Sequence, residues 1–123
     1  MENSAKLLED SLLIIWNDRN LERRLQAMQN VYDADITFYE SDNGPAIIGY
    51  QQINDLISNL QAQWPVEFEF QVTKSAAANH QVQHISWNLG IPGQIPAATG
   101  SDVAIIENGK IKGLYLFLDD PQP

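Results

Sequence analysis

The sequence contains no cysteine, so a disulfide framework, a thiol nucleophile and a thiolate-bound metal are excluded from the outset. Basic residues are scarce: 7 Lys and Arg stand against 16 Asp and Glu, a formal net charge of -9. Such a surface repels phosphate backbones and anionic headgroups, so neither nucleic acid nor a membrane is an expected partner. No stretch approaches the run of about 18 apolar residues that crosses a bilayer, and "MENSAKLLED" lacks the basic start and apolar core of a secretory leader. A cytoplasmic, soluble protein is the expectation. P-loop, dinucleotide fingerprint and nucleophile elbow are all missing, and the glycines of "IPGQIPAATG" lack the strand-to-helix context those motifs require. Internal repeats, low-complexity tracts and linkers are missing too.

What is present is an ordinary globular composition, 44% hydrophobic with 3 Trp, 4 Tyr and 4 Phe in 123 residues. That length suits one domain over residues 1–123, and the aromatics suffice for a pocket as well as a core.

Helical spacing dominates the first half. Ser4 is placed to cap a helix running to about Asn17, with Ala5, Leu8, Leu12 and Ile15 on one stripe widened by Leu7, Leu13, Ile14 and Trp16. Asn20 is placed to cap a second helix bearing Leu21, Leu25 and Met28, which gives way near Tyr32 to the strand "DITFYES", where Ile36, Phe38 and Glu40 share a face. After Gly49, the residues Ile53, Leu56, Ile57, Leu60 and Trp64 mark a third helix that Pro65 stops.

The second half is β. "VEFEFQVTK" alternates with Val66, Phe68, Phe70 and Val72 inward; "QVQHISWNLG" sets Val82, His84, Ser86 and Asn88 against Ile85, Trp87 and Leu89. "IPGQIPAATG" reads as a crossing loop or lid. Asn108-Gly109 between two apolar runs predicts a type I′ hairpin, which needs positive φ at both residues. That turn places Asp102 on a strand face with Ala104 and Ile106. On the last strand Leu114, Leu116 and Leu118 oppose Tyr115 and Phe117. A strand apolar on both faces needs cover on both, and the helices supply one, which implies a homodimer packing sheet on sheet. Helices gathered before an antiparallel sheet define an α+β class.

The helix ending in "WND", the second helix running into "YDADITF", Gly49 opening an amphipathic helix and the closing "GSDVAIIENGKIKGLYLFLD" resemble the nuclear transport factor 2-like superfamily, within it the SnoaL-like and ketosteroid isomerase-like branch. The resemblance spans about Ala5 to Asp119. It implies a cone-shaped, mostly antiparallel curved sheet wrapped around the N-terminal helices, enclosing a pocket, in a homodimer. In the resembled isomerases a general-base aspartate follows a D-x-x-x-x-D spacing, and here Asp35 is followed by Glu40. A second aspartate, at the start of the strand before the final hairpin, donates a hydrogen bond to the enolate, and Asp102 falls there. The departure is on the first helix: "SLLIIW" offers about Leu12 where those enzymes carry an oxyanion tyrosine, and no tyrosine precedes Tyr32. The epoxide hydrolase pattern fails as well, since the final strand presents leucines where an Asp-Arg pair is needed.

The resemblance implies catalytic roles for Glu40 and Asp102, and His84 is the third candidate, as a pocket base or proton relay. Against these stand plainer roles: a solvated strand-end carboxylate for Glu40, a strand-start cap for Asp102, and an exposed or subunit-contact position for His84. Trp16, Tyr32, Phe38, Trp87, Leu114 and Leu116 are the expected ligand-binding wall, around a small apolar ligand. Without a carboxylate-histidine motif neither a metal nor a cofactor is expected. The implied activity is proton transfer of isomerase, cyclase or dehydratase type on an apolar carbonyl or cyclic compound; the alternative is a non-catalytic dimeric ligand-binding or protein-interaction module.

Overall fold

A computed structural model describes residues 6–119; the expected cap Ser4 and stripe residue Ala5 lie outside them. Helix α1 (Lys6–Asp10) runs directly into a π-helical segment (Ser11–Trp16), followed by α2 (Leu21–Val31), β1 (Tyr32–Tyr39), β2 (Ile47–Ile48), α3 (Gly49–Gln63), β3 (Glu69–Asn79), β4 (Val82–Gly90), β5 (Ala98–Glu107) and β6 (Lys110–Leu118). Among the described residues no helix is long and apolar enough to cross a membrane.

The first helix is thus not uniformly α. The wider π turn aligns positions four and five apart, so Ser11, Leu12, Ile15 and Trp16 are all buried while Leu13 and Ile14 face outward, exposed. Asn20 caps α2 as expected, its side chain accepting from Arg23 N at 2.9 Å. On α3 the stripe is real: Ile53 and Ile57 are fully buried, and Leu56, Leu60 and Trp64 pack against the same core.

The six strands form one sheet in the order β2-β1-β6-β5-β4-β3. All pairings are antiparallel except β1 with β6, which run parallel, so the last strand lies inside the sheet beside the first long one. Register shifts between Val72 and Lys74, Lys74 and Ala77, and Ile105 and Ile106 insert bulges, and bulges bend strands. The curved sheet, left unclosed, holds the helices against its inner face. The result is the expected α+β cone. Asn108 and Gly109 take φ of 52° and 77°, the I′ geometry their order predicts.

Two expectations about β structure need correction. Strand β3 starts at Glu69, so Val66 lies in the turn after Pro65 and is 71% exposed, although Phe70 points inward as expected. The segment 91–97 is a loop joining the antiparallel neighbours β4 and β5 rather than a crossing connection, closed by Ala97 N donating to Leu89 O at 2.8 Å.

A polar element holds the helices together. Arg24, 1% exposed, donates from Nε to Asn54 Oδ1 and from its two terminal nitrogens to Asp18 O, Gln61 Oε1, Asn54 O and Ser58 Oγ. All five guanidinium donors are used. Gln61 and Asn54 return their own amides to Trp16 O, Asp18 O and Leu21 O. The charge is balanced by amide and hydroxyl dipoles inside, with burial opposing it and Asp18 nearby favouring it.

Candidate functional site

Between the sheet and the helices lies a cavity of about 240 Å³. The π-helical segment contributes Leu12 and Trp16, the end of β1 Phe38 and, just past it, Glu40; α3 and its C-cap give Leu60 and Trp64. Phe70, Trp87, Leu89, Ala98, Asp102, Leu116 and Leu118 complete the wall from the remaining strands. Glu40 and Leu118 are exposed and mark the mouth, whereas Asp102 is 7% exposed and lies within.

The "WND" sequence builds one side of this cavity. Trp16 forms wall, its Nε1 donating to Tyr32 Oη at 3.2 Å, and Ser11 Oγ meets the same hydroxyl at 2.6 Å. Asn17 clamps β3: its Oδ1 accepts from Phe70 N at 2.6 Å and its Nδ2 donates to Phe70 O at 3.1 Å. Asp18 is held ionised by two bonds from Arg23, at 2.6 and 2.7 Å, which keep its carboxyl below the usual range. Each residue of the triplet therefore fixes a different neighbour.

Asp102 answers the question its sequence position raises, why a carboxylate sits on an apolar strand face. It shares that face with Ala104 and Ile106, both buried, and lies between Ile85 of β4 and Leu116 of β6 in the register. One oxygen, Oδ1, accepts from Trp87 Nε1 at 3.1 Å. The indole reaches it because position 100, two residues back on the same face, is glycine: a Cβ there would stand 2.8 Å from Trp87 Cζ2 and 2.7 Å from Phe117 O. Burial pushes the carboxyl up to about 7, although the Trp87 hydrogen bond works in the opposite direction. Near neutrality Asp102 is divided between an acid that donates and a carboxylate that accepts.

Of the expected site residues, Glu40, Asp102, Trp16, Phe38, Trp87 and Leu116 meet around this one cavity. His84 does not. It is exposed on the outer face, because β4 turns Gln83, Ile85, Trp87 and Leu89 inward, and in the register it stands between Ala77 and Val103. Tyr32 is fully buried behind Trp16, with its hydroxyl spent on Ser11 and Trp16, and Leu114 is buried in the core against Ala104; neither lines the cavity. Leu12, Leu60, Phe70, Leu89, Ala98 and Leu118 also line the cavity without having been expected there, and Trp64, which reads from the sequence as core or pocket wall, joins them. The inward alternation of Phe70 and Leu89 and the α3 stripe carried that signal. Among the described residues no cluster of three metal-ligating side chains occurs.

No family model matches the sequence, and no curated protein matches it. Solved structures do. The chain is similar to a SnoaL-like family protein from Agrobacterium tumefaciens at 21% identity, covering 97% of this chain and 100% of that one, with a TM-score of 0.82. It is similar to a protein from Jannaschia described as SnoaL-like polyketide cyclase-like, at 12% identity over 94% and 85% of the two chains, TM-score 0.74. A protein of ketosteroid isomerase-like fold from Catenulispora acidiphila, solved with trimethylamine, matches at 16% identity over 95% and 85%, TM-score 0.68. These likenesses show the fold alone, an α+β cone of nuclear transport factor 2-like form.

Proposed function

We propose that this chain is a small-molecule pocket protein that transfers protons on an apolar carbonyl or cyclic compound. The observation carrying this reading is Asp102: a carboxyl buried inside an apolar cavity whose mouth holds a second carboxylate, Glu40. In its neutral form Asp102 donates to a substrate oxygen as negative charge develops there, while Glu40 takes a proton from carbon and returns it. A cavity of about 240 Å³ restricts the substrate to a compact molecule. The Catenulispora complex supports the view that this fold takes small ligands.

Solvent deuterium exchange into a panel of small cyclic ketones, followed by proton NMR, tests the assignment. Exchange at the carbon next to the carbonyl is expected with the wild type and reduced by about 100-fold or more in Glu40→Gln and in Asp102→Asn, the range for losing a general base or acid. Rates in both variants equal to wild type overturn the roles.

A non-catalytic binding module is the second reading. It is favoured by the first helix, where Leu12 and not a hydroxyl meets the cavity, so Asp102 has no second oxyanion donor from that helix.

Homodimerisation belongs to both readings. Across the outer sheet face Tyr39, Tyr115, Val103, His84 and Ala77 fall in one row of the register. Tyr39 and Tyr115 stack at 4.7 Å, and Phe117 beside them is 56% exposed. A second copy packed on this row would bury about 1,200 Å² or more in total. Sedimentation velocity at micromolar concentration is expected to show twice the chain mass, reduced to one in Phe117→Glu; a wild-type monomer refutes the interface.

A further inference from the structure

The cavity wall is unusual in its chemistry. Trp16, Phe38, Trp64, Phe70 and Trp87 line it, and their rings stand edge to face in an unbroken series: Phe38 to Trp16 at 5.6 Å, Trp16 to Phe70 at 6.1 Å, and Phe70 to Trp64 at 5.9 Å and to Trp87 at 5.1 Å. The rings cross at 61° to 87°, each pair setting the edge of one ring against the face of the other, so the wall is a continuous aromatic surface whose polarisable rings can take a cation over a face. The charged side chains in the wall are Asp102 and Glu40; none of the lining residues is basic. Two of the three indole N–H groups in the wall are already engaged, Trp16 Nε1 with Tyr32 and Trp87 Nε1 with Asp102. These features together favour positive charge with an apolar coat: aromatic rings attract cations, the carboxylate inside pairs them, and the chain's net charge of -9 draws them in.

We infer that the cavity accepts a small organic cation, an amine or quaternary ammonium with compact apolar substituents, its charge on Asp102 and its alkyl groups against the tryptophans. This rests on the reading of the cavity as a small-molecule pocket and extends its ligand class beyond neutral carbonyl compounds. A buried cation requires a partner, and Asp102 supplies one without a competing Lys or Arg in the wall. Glu40 at the mouth sets a second negative charge on the entry path. A carbonyl compound and a cation use opposite forms of the same carboxyl, so the two ligands exclude each other by charge as well as by space.

The experiment compares phenyltrimethylammonium with its neutral isostere tert-butylbenzene, read by tryptophan fluorescence and calorimetry at pH 8. The cation is expected to bind at least tenfold more tightly than the isostere. Asp102→Asn, whose amide oxygen still accepts from Trp87, is expected to weaken the cation at least tenfold and leave the isostere within about twofold. Trp64→Leu, at a partly buried position of the cage, is expected to weaken the cation more than the isostere. Equal affinities for the two probes, or an unchanged cation affinity in Asp102→Asn, overturn the inference while leaving a small-molecule pocket in place. Binding of neither probe, with the fluorescence unmoved, overturns the pocket reading itself and the inference with it.

Discussion

Replacing Arg24 with alanine is expected to destabilise the protein by about 3 to 5 kcal/mol, enough to consume a large part of the 5 to 15 kcal/mol typical of a natural domain. The reason is what remains behind. Asn54 Oδ1 and O, Gln61 Oε1, Ser58 Oγ and Asp18 O all face the guanidinium inside the packed junction of α2, α3 and the π-helical segment. Each acceptor buried without a donor costs about 1 to 3 kcal/mol, though such costs do not add in full. Arg24→Met restores the apolar stem and none of the donors, so its loss should stay close to that of alanine. Arg24→Lys restores charge without the planar fork and should fall between. Urea unfolding monitored by circular dichroism measures all three. An alanine variant within about 1 kcal/mol of wild type would show that water replaces the guanidinium and that the network is not structural.

The second large effect is on pH. Asp102 holds its proton more tightly folded, at about 7, than at its ordinary value of 3.8, so protonation favours the folded state. That stabilisation is full below about pH 4, declines as pH rises, and is gone once pH passes about 7. The displacement corresponds to about 4 kcal/mol as an order of magnitude. Asp18 and Asp33, whose carboxyls are lowered by hydrogen bonds and neighbouring cations, act with the opposite sign, and their effect falls at acid pH below 4. Between pH 5 and 8, wild-type stability should therefore fall while that of Asp102→Asn stays level, and at pH 8 the variant should be the more stable by about 2 kcal/mol or more. Parallel curves for the two proteins over that interval would mean that Asp102 titrates like a solvated side chain.

These two groups differ in how visible they were before the structure. Asp102 was legible because strand alternation from the Asn108-Gly109 turn assigns its face without any long-range information. Arg24 was hidden beside Arg23, in a charged stretch that reads as solvent-facing. Its spacing to Met28 and Val31, at i+4 and i+7, would have placed it on the buried stripe, as Asn54 and Gln61 flank Ile57 on α3. The Asn20 cap, the α3 stripe and the hairpin likewise followed from local sequence signals. His84 went to the wrong use because "QVQHIS" offers no clear apolar face: Val82 is exposed and Gln83 is buried, the reverse of their polarity. Gly100 carried no signal in the chain, since its role is defined by an indole from the neighbouring strand. The parallel pairing of β1 with β6 was equally out of reach, being a contact between segments some seventy residues apart.

That pairing gives the molecule an order of assembly. The β5–β6 hairpin closes locally, but the pairing of β6 with β1 must wait until a loop spanning most of the chain is drawn shut, an entropic cost that grows with its length. Contacts of such long sequence separation are those that slow folding. During synthesis, β1 emerges with one edge unpaired and keeps it so until the final strand leaves the ribosome. The cavity is then the last feature made, because Asp102 and Leu116 stand opposite each other only in the completed hairpin. Any molecule that it retains is consequently a reporter of finished folding, and a chain interrupted before β6 has an inner face with nothing to enclose.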